Sequence, residues 1–242
     1  MDNNNKNKIG LFIVNYGDNK LTEDCYNSFR LENNVVIHIL NNYNSSTKEW
    51  LNKDGINSIP YDENHGYFGA LFKYFENNNK LDIYDWVILS NNDIFLKSSG
   101  LEQSIIELET QIENLGVIAP SIKEPNGFEL NPHHKKKPSL LWKLVFRFYF
   151  INYHSARLVH FLKNKLVKNK ISRTEYNSFV FSPNGAFLIM KKSVLKSVLS
   201  EGKLGFLYGE EQLVSEVCLK LNLKVFFTDL IKLTHLHSQT TG

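Results

Sequence analysis

Trp86-Val-Ile-Leu-Ser-Asn-Asn-Asp93 is four apolar residues followed by a hydroxyl, two amides and a carboxylate. A short apolar run that stops at turn-forming residues reads as a buried strand opening into a polar loop. Upstream, Ile9-Gly-Leu-Phe-Ile-Val14 stops in the same way at Asn15-Tyr-Gly-Asp18, and Val35-Val-Ile-His-Ile-Leu40 stops at Asn41-Asn-Tyr-Asn-Ser-Ser46. Helices fit between these strands. Thr22 is placed to cap one that runs to Arg30, a weaker strand covers Ile56 to Tyr61, and Gly66 to Glu76 reads as a second helix. Downstream, Ser99-Gly-Leu-Glu102 has the spacing of a capping box. It predicts a helix that turns Ile105, Leu108, Ile112 and Leu115 inward and stops at Gly116, before a strand at Val117-Ile-Ala119. Phe179-Val-Phe181 and Gly185 to Met190 follow as strands, then a helix from Glu210 to about Leu221 and a strand at Lys224-Val-Phe-Phe227. Strand and helix alternate from the start. That predicts the α/β class: an open, mostly parallel (mixed) sheet with helices on both faces.

Composition narrows the function classes. A chain of 242 residues with 42% hydrophobic and 22% charged residues is globular in composition, which excludes global disorder and predicts one domain. Cys25 and Cys218 form neither a CxxC pair nor a zinc-spaced cluster, so a disulfide scaffold and a zinc module are excluded. Met1 to Lys8 is polar, which predicts no signal peptide, and no run of about 18 apolar residues is free of charge. The expected location is the cytoplasm.

Charge is concentrated in one place. Pro132 to Arg173 holds eleven Lys and Arg and no acid, leaving 17 basic against 25 acidic residues elsewhere. A +11 stretch in an acidic body predicts an anionic partner. Within it, His133-His-Lys-Lys-Lys137 precedes Leu140-Leu-Trp-Lys-Leu-Val-Phe-Arg-Phe-Tyr-Phe-Ile-Asn-Tyr-His154, which Ser139 could cap as a helix. Aromatic bodies with basic tips suit an anionic membrane surface, and the same pattern suits a basic-faced helix packed on the core. Nucleic acid is not expected, because no helix-turn-helix, RNA-recognition or zinc pattern accompanies the charge.

In an open α/β sheet, ligands bind beyond the carboxyl ends of the strands. Asn15-Tyr16, Asn41-Asn42 and Asn91-Asn92-Asp93 all fall there, and Asn64-His-Gly-Tyr-Phe-Gly69 opens a helix whose backbone N–H groups could face a phosphate. Each loop alone is also ordinary turn chemistry. Their ordered recurrence carries the reading.

Taken in order, seven stretches resemble the inverting glycosyltransferases of family two, which have the GT-A fold. They are Ile13–Gly17, Leu40–Ser46, Asn64–Ala70, Val87–Asp93, Ser182–Leu195, Gly205–Glu211 and Thr234–Gly242. The resemblance spans nearly the whole chain outside the basic segment. It is greatest to the branch that includes rhamnosyltransferases of bacterial O-antigen and capsule assembly. It implies one transferase domain over residues 1–242, with a basic aromatic helical insertion at about 130–175.

The resemblance also implies roles. Loss of a nucleoside diphosphate builds negative charge on the leaving oxygen, which a divalent cation (Mg²⁺ or Mn²⁺) can offset. Asp93 matches the last acid of the family's DxD motif and would be its ligand, although a turn cap would look the same. Asn91 stands at the first acid and adds no charge. The acceptor hydroxyl needs a base. The family has an acidic pair where Glu210-Glu211 stands, with the second acid as base, which implies Glu211 as base and Glu210 as an acceptor-binding or orienting group. Both would equally suit a helix N-terminus. His235 matches a family histidine and would be a second metal ligand or a diphosphate contact, although a core histidine satisfied by a hydrogen bond would look the same. His237, two residues on, would contact substrate. Tyr16 could stack on the nucleobase, and Asn41 or Asn42 could bond the base or ribose. Most relatives carry Asp where Asn41 stands. Asn64, Gly66, Gly69, Asn91 and Asn92 would shape the nucleotide side, and Asn184, Gly185 and Ala186 the sugar and acceptor cleft.

The implied partners are a nucleotide-sugar donor, an oligosaccharide acceptor, here read as lipid-linked, and the inner face of the plasma membrane. A nucleotidyltransferase would want a basic Gly-rich loop after the first strand, and Asn15-Tyr-Gly-Asp-Asn19 is not one. A non-catalytic nucleotide-sugar-binding or scaffold module is the alternative that Asn41 and Asn91 keep open.

Overall fold

The computed structural model describes residues 8–17, 19–42, 56–78, 81–139, 157, 175–201 and 209–236. The expected helix after Ser139, the loop residues 43–46 and 205–208, and His237 to Gly242 lie outside them.

The chain opens with β1 (Ile9–Asn15), α1 (Asn19–Phe29), β2 (Val35–Asn41), β3 (Asn57–Pro60), α2 (Tyr67–Asn78), a 3₁₀ turn (Leu81–Ile83), β4 (Trp86–Asn91) and β5 (Ile94–Leu96). It continues with α3 (Leu101–Gln111), β6 (Leu115–Lys123), β7 (Ser178–Val180), β8 (Phe187–Lys191), α4 (Lys192–Glu201), α5 (Glu210–Lys220) and β9 (Lys224–His235). One sheet runs β3-β2-β1-β4-β8-β6-β9-β5, with β7 also on β9. β1 to β4 pair in parallel, β8 lies antiparallel between β4 and β6, and β6 and β9 are parallel again. The sheet is therefore mixed, as expected.

Period-two alternation sorts the core onto two faces. Phe12, Val14, Val87 and Leu89 point to one face, under α2, α4 and α5. Leu11, Ile13, Trp86 and Ile88 point to the other, under α1 and α3. Buried apolar surface of this extent, worth about 25 cal/mol per Å², holds the strand ends in register.

Three local expectations are corrected. α1 starts at Asn19, so Thr22 lies inside its first turn and its buried hydroxyl serves the polar edge described below. The capping box does not form: Gly100 is the N-cap, with φ 75° and no side-chain cap. A carboxylate from elsewhere replaces it, since Glu32 accepts from Gly100 N at 3.1 Å and Leu101 N at 2.6 Å. Glu102 instead accepts from the Asn34 amide at 3.0 and 2.8 Å. Finally, α3 ends at Gln111, and Gly116 belongs to β6. A Cβ there would lie 2.7 Å from Leu223 Cβ, so close packing requires this glycine.

β9 is three times the expected length. Its register on β6 jumps from Thr228 opposite Pro120 to Lys232 opposite Ser121, so Asp229, Leu230 and Ile231 bulge out. Beyond the bulge β9 pairs antiparallel with β5, placing His235 opposite Ile94.

Candidate active site

The carboxyl ends of β1, β2 and β4 are tied by amides. Asn15 Nδ2 donates to Asn41 Oδ1 and Asn19 Oδ1, both at 3.1 Å. Asn15 Oδ1 accepts from Gly17 N at 3.0 Å and Thr22 Oγ1 at 2.9 Å. Asn92 Nδ2 in turn donates to Thr22 Oγ1 at 2.9 Å. Asn15, Thr22 and Asn92 are buried, where an unmade bond would cost about 1–3 kcal/mol, so this lattice fixes the loops.

Asn42 acts as a clamp. Its amide donates to Asn64 Oδ1 at 2.7 Å and the Gly66 carbonyl at 2.9 Å, and its Oδ1 accepts from His65 N at 2.8 Å. Both donor hydrogens are directed to the chain, so Asn42 shapes the loop before α2. Asn64 Oδ1 also accepts from Gly66 N at 2.9 Å, and Gly66 turns the chain at φ 75°. Among the described residues a Cβ at Gly69 would meet only His65 Cβ at 3.5 Å, an ordinary contact. Tyr16 follows β1, and its hydroxyl is buried without a well-formed hydrogen bond, the Asn42 amide being turned to Asn64 and Gly66. Burial first, and then the nearby Glu210 charge, pushes this phenol well above its ordinary value, with Asn42 opposing.

Asp93 and His235 meet. Both are buried, with Nε2 3.1 Å from Oδ2. The β5–β9 pairing makes the contact, and Leu236 N donates to the Asp93 carbonyl at 3.0 Å. The donor set is one carboxylate and one imidazole. No group of three or more His, Cys, Asp or Glu able to hold a metal occurs among the described residues. A hard dication with six positions would find two here and leave the others for diphosphate and water oxygens, so the pair fits such an ion as an open site. Asn91 beside it donates its backbone N–H to the Ala186 carbonyl at 2.9 Å.

Glu210 and Glu211 are the first residues of α5, behind the N-cap Gly209, which lies at φ 103°. The helix N-terminus favours negative charge there. The Glu211 side chain is 15% exposed. Its Oε2 would lie 3.2 Å from a Cβ at Gly185, so the carboxylate sits over that glycine. The loop is held by Asn184, whose Oδ1 accepts from Ala186 N at 2.9 Å and whose N–H donates to Asn131 Oδ1 at 2.7 Å. The structure thus brings Gly185 and Glu211 together, and Asp93 and His235 together. His237 lies outside the described residues.

Tyr67 links the two pairs, and the motif reading did not single it out. Its hydroxyl lies 2.9 Å from the Leu89 carbonyl and 3.2 Å from that of Ala186, sharing one proton between them. Burial raises its pKa, reinforced by Tyr16, Glu210, Asp93 and Cys25, in that order. His133 belongs to the charged stretch and Asn131 to no motif, and only tertiary structure brings them to Glu211 and Asn184.

No protein-family model matches the sequence, and no curated protein matches it. Solved structures do. GalNAc-T7 with UDP, GalNAc and Mn²⁺ matches 95% of this chain at 11% identity and TM-score 0.58. TarS of S. aureus matches 96% at 14% and 0.53, and a mannosyltransferase from Pyrobaculum calidifontis, in complex with GDP-Man and Mn²⁺, 97% at 12% and 0.55. The chain spans 43%, 37% and 58% of their respective lengths. At such identities the likeness is one of architecture, and the chain has the mixed α/β GT-A fold.

Proposed function

We propose that the chain is an inverting glycosyltransferase that moves a sugar from a nucleotide-sugar donor to a hydroxyl of an oligosaccharide acceptor. One observation carries this reading. A sheltered carboxylate, Glu211, opens a helix over a glycine, on the same sheet edge as the Asp93–His235 pair.

Glu211 takes the proton of the acceptor hydroxyl as its oxygen attacks the anomeric carbon from the face opposite the diphosphate. The anomeric C–O bond breaks, the configuration inverts, and the nucleoside diphosphate leaves with the bonding pair. Glu210 orients the acceptor, while Tyr16, Asn41 and the Asn64–Gly66 turn line the nucleotide side. Asp93 and His235 would hold Mg²⁺ or Mn²⁺, which when bound offsets charge on the leaving diphosphate. The two neighbours that hold Mn²⁺ with UDP or GDP-Man support this assignment.

Rhamnose as donor sugar, a lipid-linked acceptor and a place in bacterial surface-polysaccharide assembly rest on the family resemblance. Association with the inner face of the plasma membrane rests on the +11 segment. No described helix is long and apolar enough to cross a membrane. The scaffold reading draws on Asn91, which adds no charge beside Asp93.

The test is thermal melting with UDP, GDP and dTDP, with and without Mn²⁺, for wild type and Asp93→Ala. A ligand at about 100 times its Kd adds roughly 2.7 kcal/mol. One nucleotide should give a Mn²⁺-dependent rise that Asp93→Ala loses. No rise with any nucleotide overturns the donor site.

A further inference from the structure

A ribbon from the start of the basic segment reaches the other side of the Glu211 carboxylate. Glu129 anchors it by accepting from Ser121 Oγ at 2.6 Å, Ile122 N at 2.8 Å, Tyr176 Oη at 3.0 Å and Asn131 N at 3.1 Å. Asn131 donates to the Pro120 carbonyl at 2.8 Å while accepting from Asn184. His134 N donates to the Ser182 carbonyl at 3.2 Å, and Phe181 N and Ser182 N donate to the His134 carbonyl at 3.0 Å. Lys137 pairs with Glu216 at 2.7 Å, about 1.4 turns along α5 from Glu211. The ribbon is therefore fixed on both sides, and it sets His133 Nε2 3.7 Å from Glu211 Oε1. The charged and titratable groups around this contact are Glu210, His134, whose ring is 4.3 Å from that of His133, and the Lys137–Glu216 pair.

We propose that His133 is a positioning residue: its Nε2 holds Oε1 of Glu211, so that Oε2, over Gly185, faces the acceptor hydroxyl. This rests on the reading of Glu211 as the base. A glutamate has three side-chain torsions, and the helix N-terminus favours its charge without choosing among its rotamers. A donor from a ribbon anchored to the same wall as Gly185 makes that choice. At 3.7 Å the contact is an ion-pair separation, longer than a hydrogen bond, and such contacts are often long before substrate binds. The His133 side chain is 42% exposed, so the contact restrains the carboxylate and does not serve as core packing.

The test has two readouts on the full chain. The first is imidazole ¹H–¹⁵N spectra of wild type and Glu211→Gln, with the His133 signals assigned from His133→Gln. Glu211→Gln should move the His133 signals and leave those of His38 and His65 in place. The second is release of nucleoside diphosphate from UDP-, GDP- and dTDP-sugars with Mn²⁺ and water as acceptor. His133→Ala and His133→Asn should lower kcat about tenfold with donor KM unchanged, since a 1 Å misplacement costs roughly a hundredfold. His133→Gln, whose amide nitrogen reaches about as far as Nε2, should return kcat to within about threefold of wild type. An unmoved His133 spectrum in Glu211→Gln overturns the proposal, and needs no substrate to do so. Wild-type kcat in His133→Ala, with turnover lost in Glu211→Gln, overturns it while leaving the base in place. Wild-type kcat in Glu211→Gln overturns the base, and the positioning role with it.

Discussion

Gly185→Ala should lower turnover while leaving the fold intact. The backbone at 185 lies outside the left-handed region, so alanine is compatible with it. The added Cβ would stand 3.2 Å from Glu211 Oε2 and 4.0 Å from its Cδ, with no other atom of the described residues within 4 Å. Relief requires the carboxylate to retreat by a few tenths of an ångström. If 1 Å costs about a hundredfold, this displacement costs roughly three- to tenfold in kcat. The displaced atom is the end of a flexible side chain, so the strain stays below about 1 kcal/mol, and the lower entropy of unfolded alanine offsets about 0.4–1 kcal/mol. For a chain of this size 1 kcal/mol shifts Tm by about 2–4 °C, so Tm should stay within about 2 °C of wild type. Gly116→Ala and Gly10→Ala are the controls. Their Cβ atoms would meet Leu223 Cβ at 2.7 Å and Tyr84 Cε1 at 2.8 Å in the core. Overpacking of that kind costs about 1–3 kcal/mol, a visible fall in Tm. The assay is nucleoside diphosphate release beside a melting curve. Wild-type kcat in Gly185→Ala, or a fall in Tm as large as that of Gly116→Ala, would refute the placement of Glu211 over Gly185.

Glu32→Ala should cost about 1–2 kcal/mol in a denaturant titration, because it uncaps Gly100 N and Leu101 N, whereas Ser99→Ala should change little. Stability should be insensitive to the buried phenols below about pH 10 and fall above it. Burial raises the Tyr16, Tyr61, Tyr67 and Tyr84 pKa values, so the unfolded chain loses these protons first. For the buried Tyr67 the slope well above pH 10 is roughly −1.4 kcal/mol per pH unit, and a Tm series from pH 8 to about 11 that stayed flat would contradict the burial of these groups. Liposome flotation should show binding that prefers anionic lipid and weakens with salt; binding indifferent to both would remove the membrane role of the basic segment.

β1, β2 and β4 were legible because each is an apolar run broken by amides. β1, β2 and β4 were readable to within two residues at their carboxyl ends. Tertiary partners were not legible. Ser99 and Glu102 have capping-box spacing, yet Glu32 from the end of α1 takes both N–H groups. The bulge at 229–231 has no local signal, and it extends β9 to His235. Motif order pointed to Asp93 and His235 separately, and only the pairing of β5 with β9 makes them neighbours. His133 looked like one more cation in a charged run. A run of charge says nothing about which member touches the body of the fold.

The amides at the sheet edge then acquire a physical meaning. Asn15, Asn41, Asn42, Asn64 and Asn92 bond mainly to one another and to the backbone, so they stiffen the loops without adding charge. Formal charge is left to Asp93, beside His235, and to Glu210 and Glu211 at the start of α5. An acid at 91 would strengthen attraction for a dication, and it would also repel a diphosphate arriving without one. An amide there weakens both effects, because at about 4 Å each such charge pair is worth roughly 1 to 4 kcal/mol between water-like and protein-surface screening. A site with Asn91 should therefore bind the cation weakly by itself and hold it mainly together with the nucleotide diphosphate, which supplies the missing negative charge. That makes the joint Mn²⁺ and nucleotide melting shift a sharper test of this edge than either ligand alone.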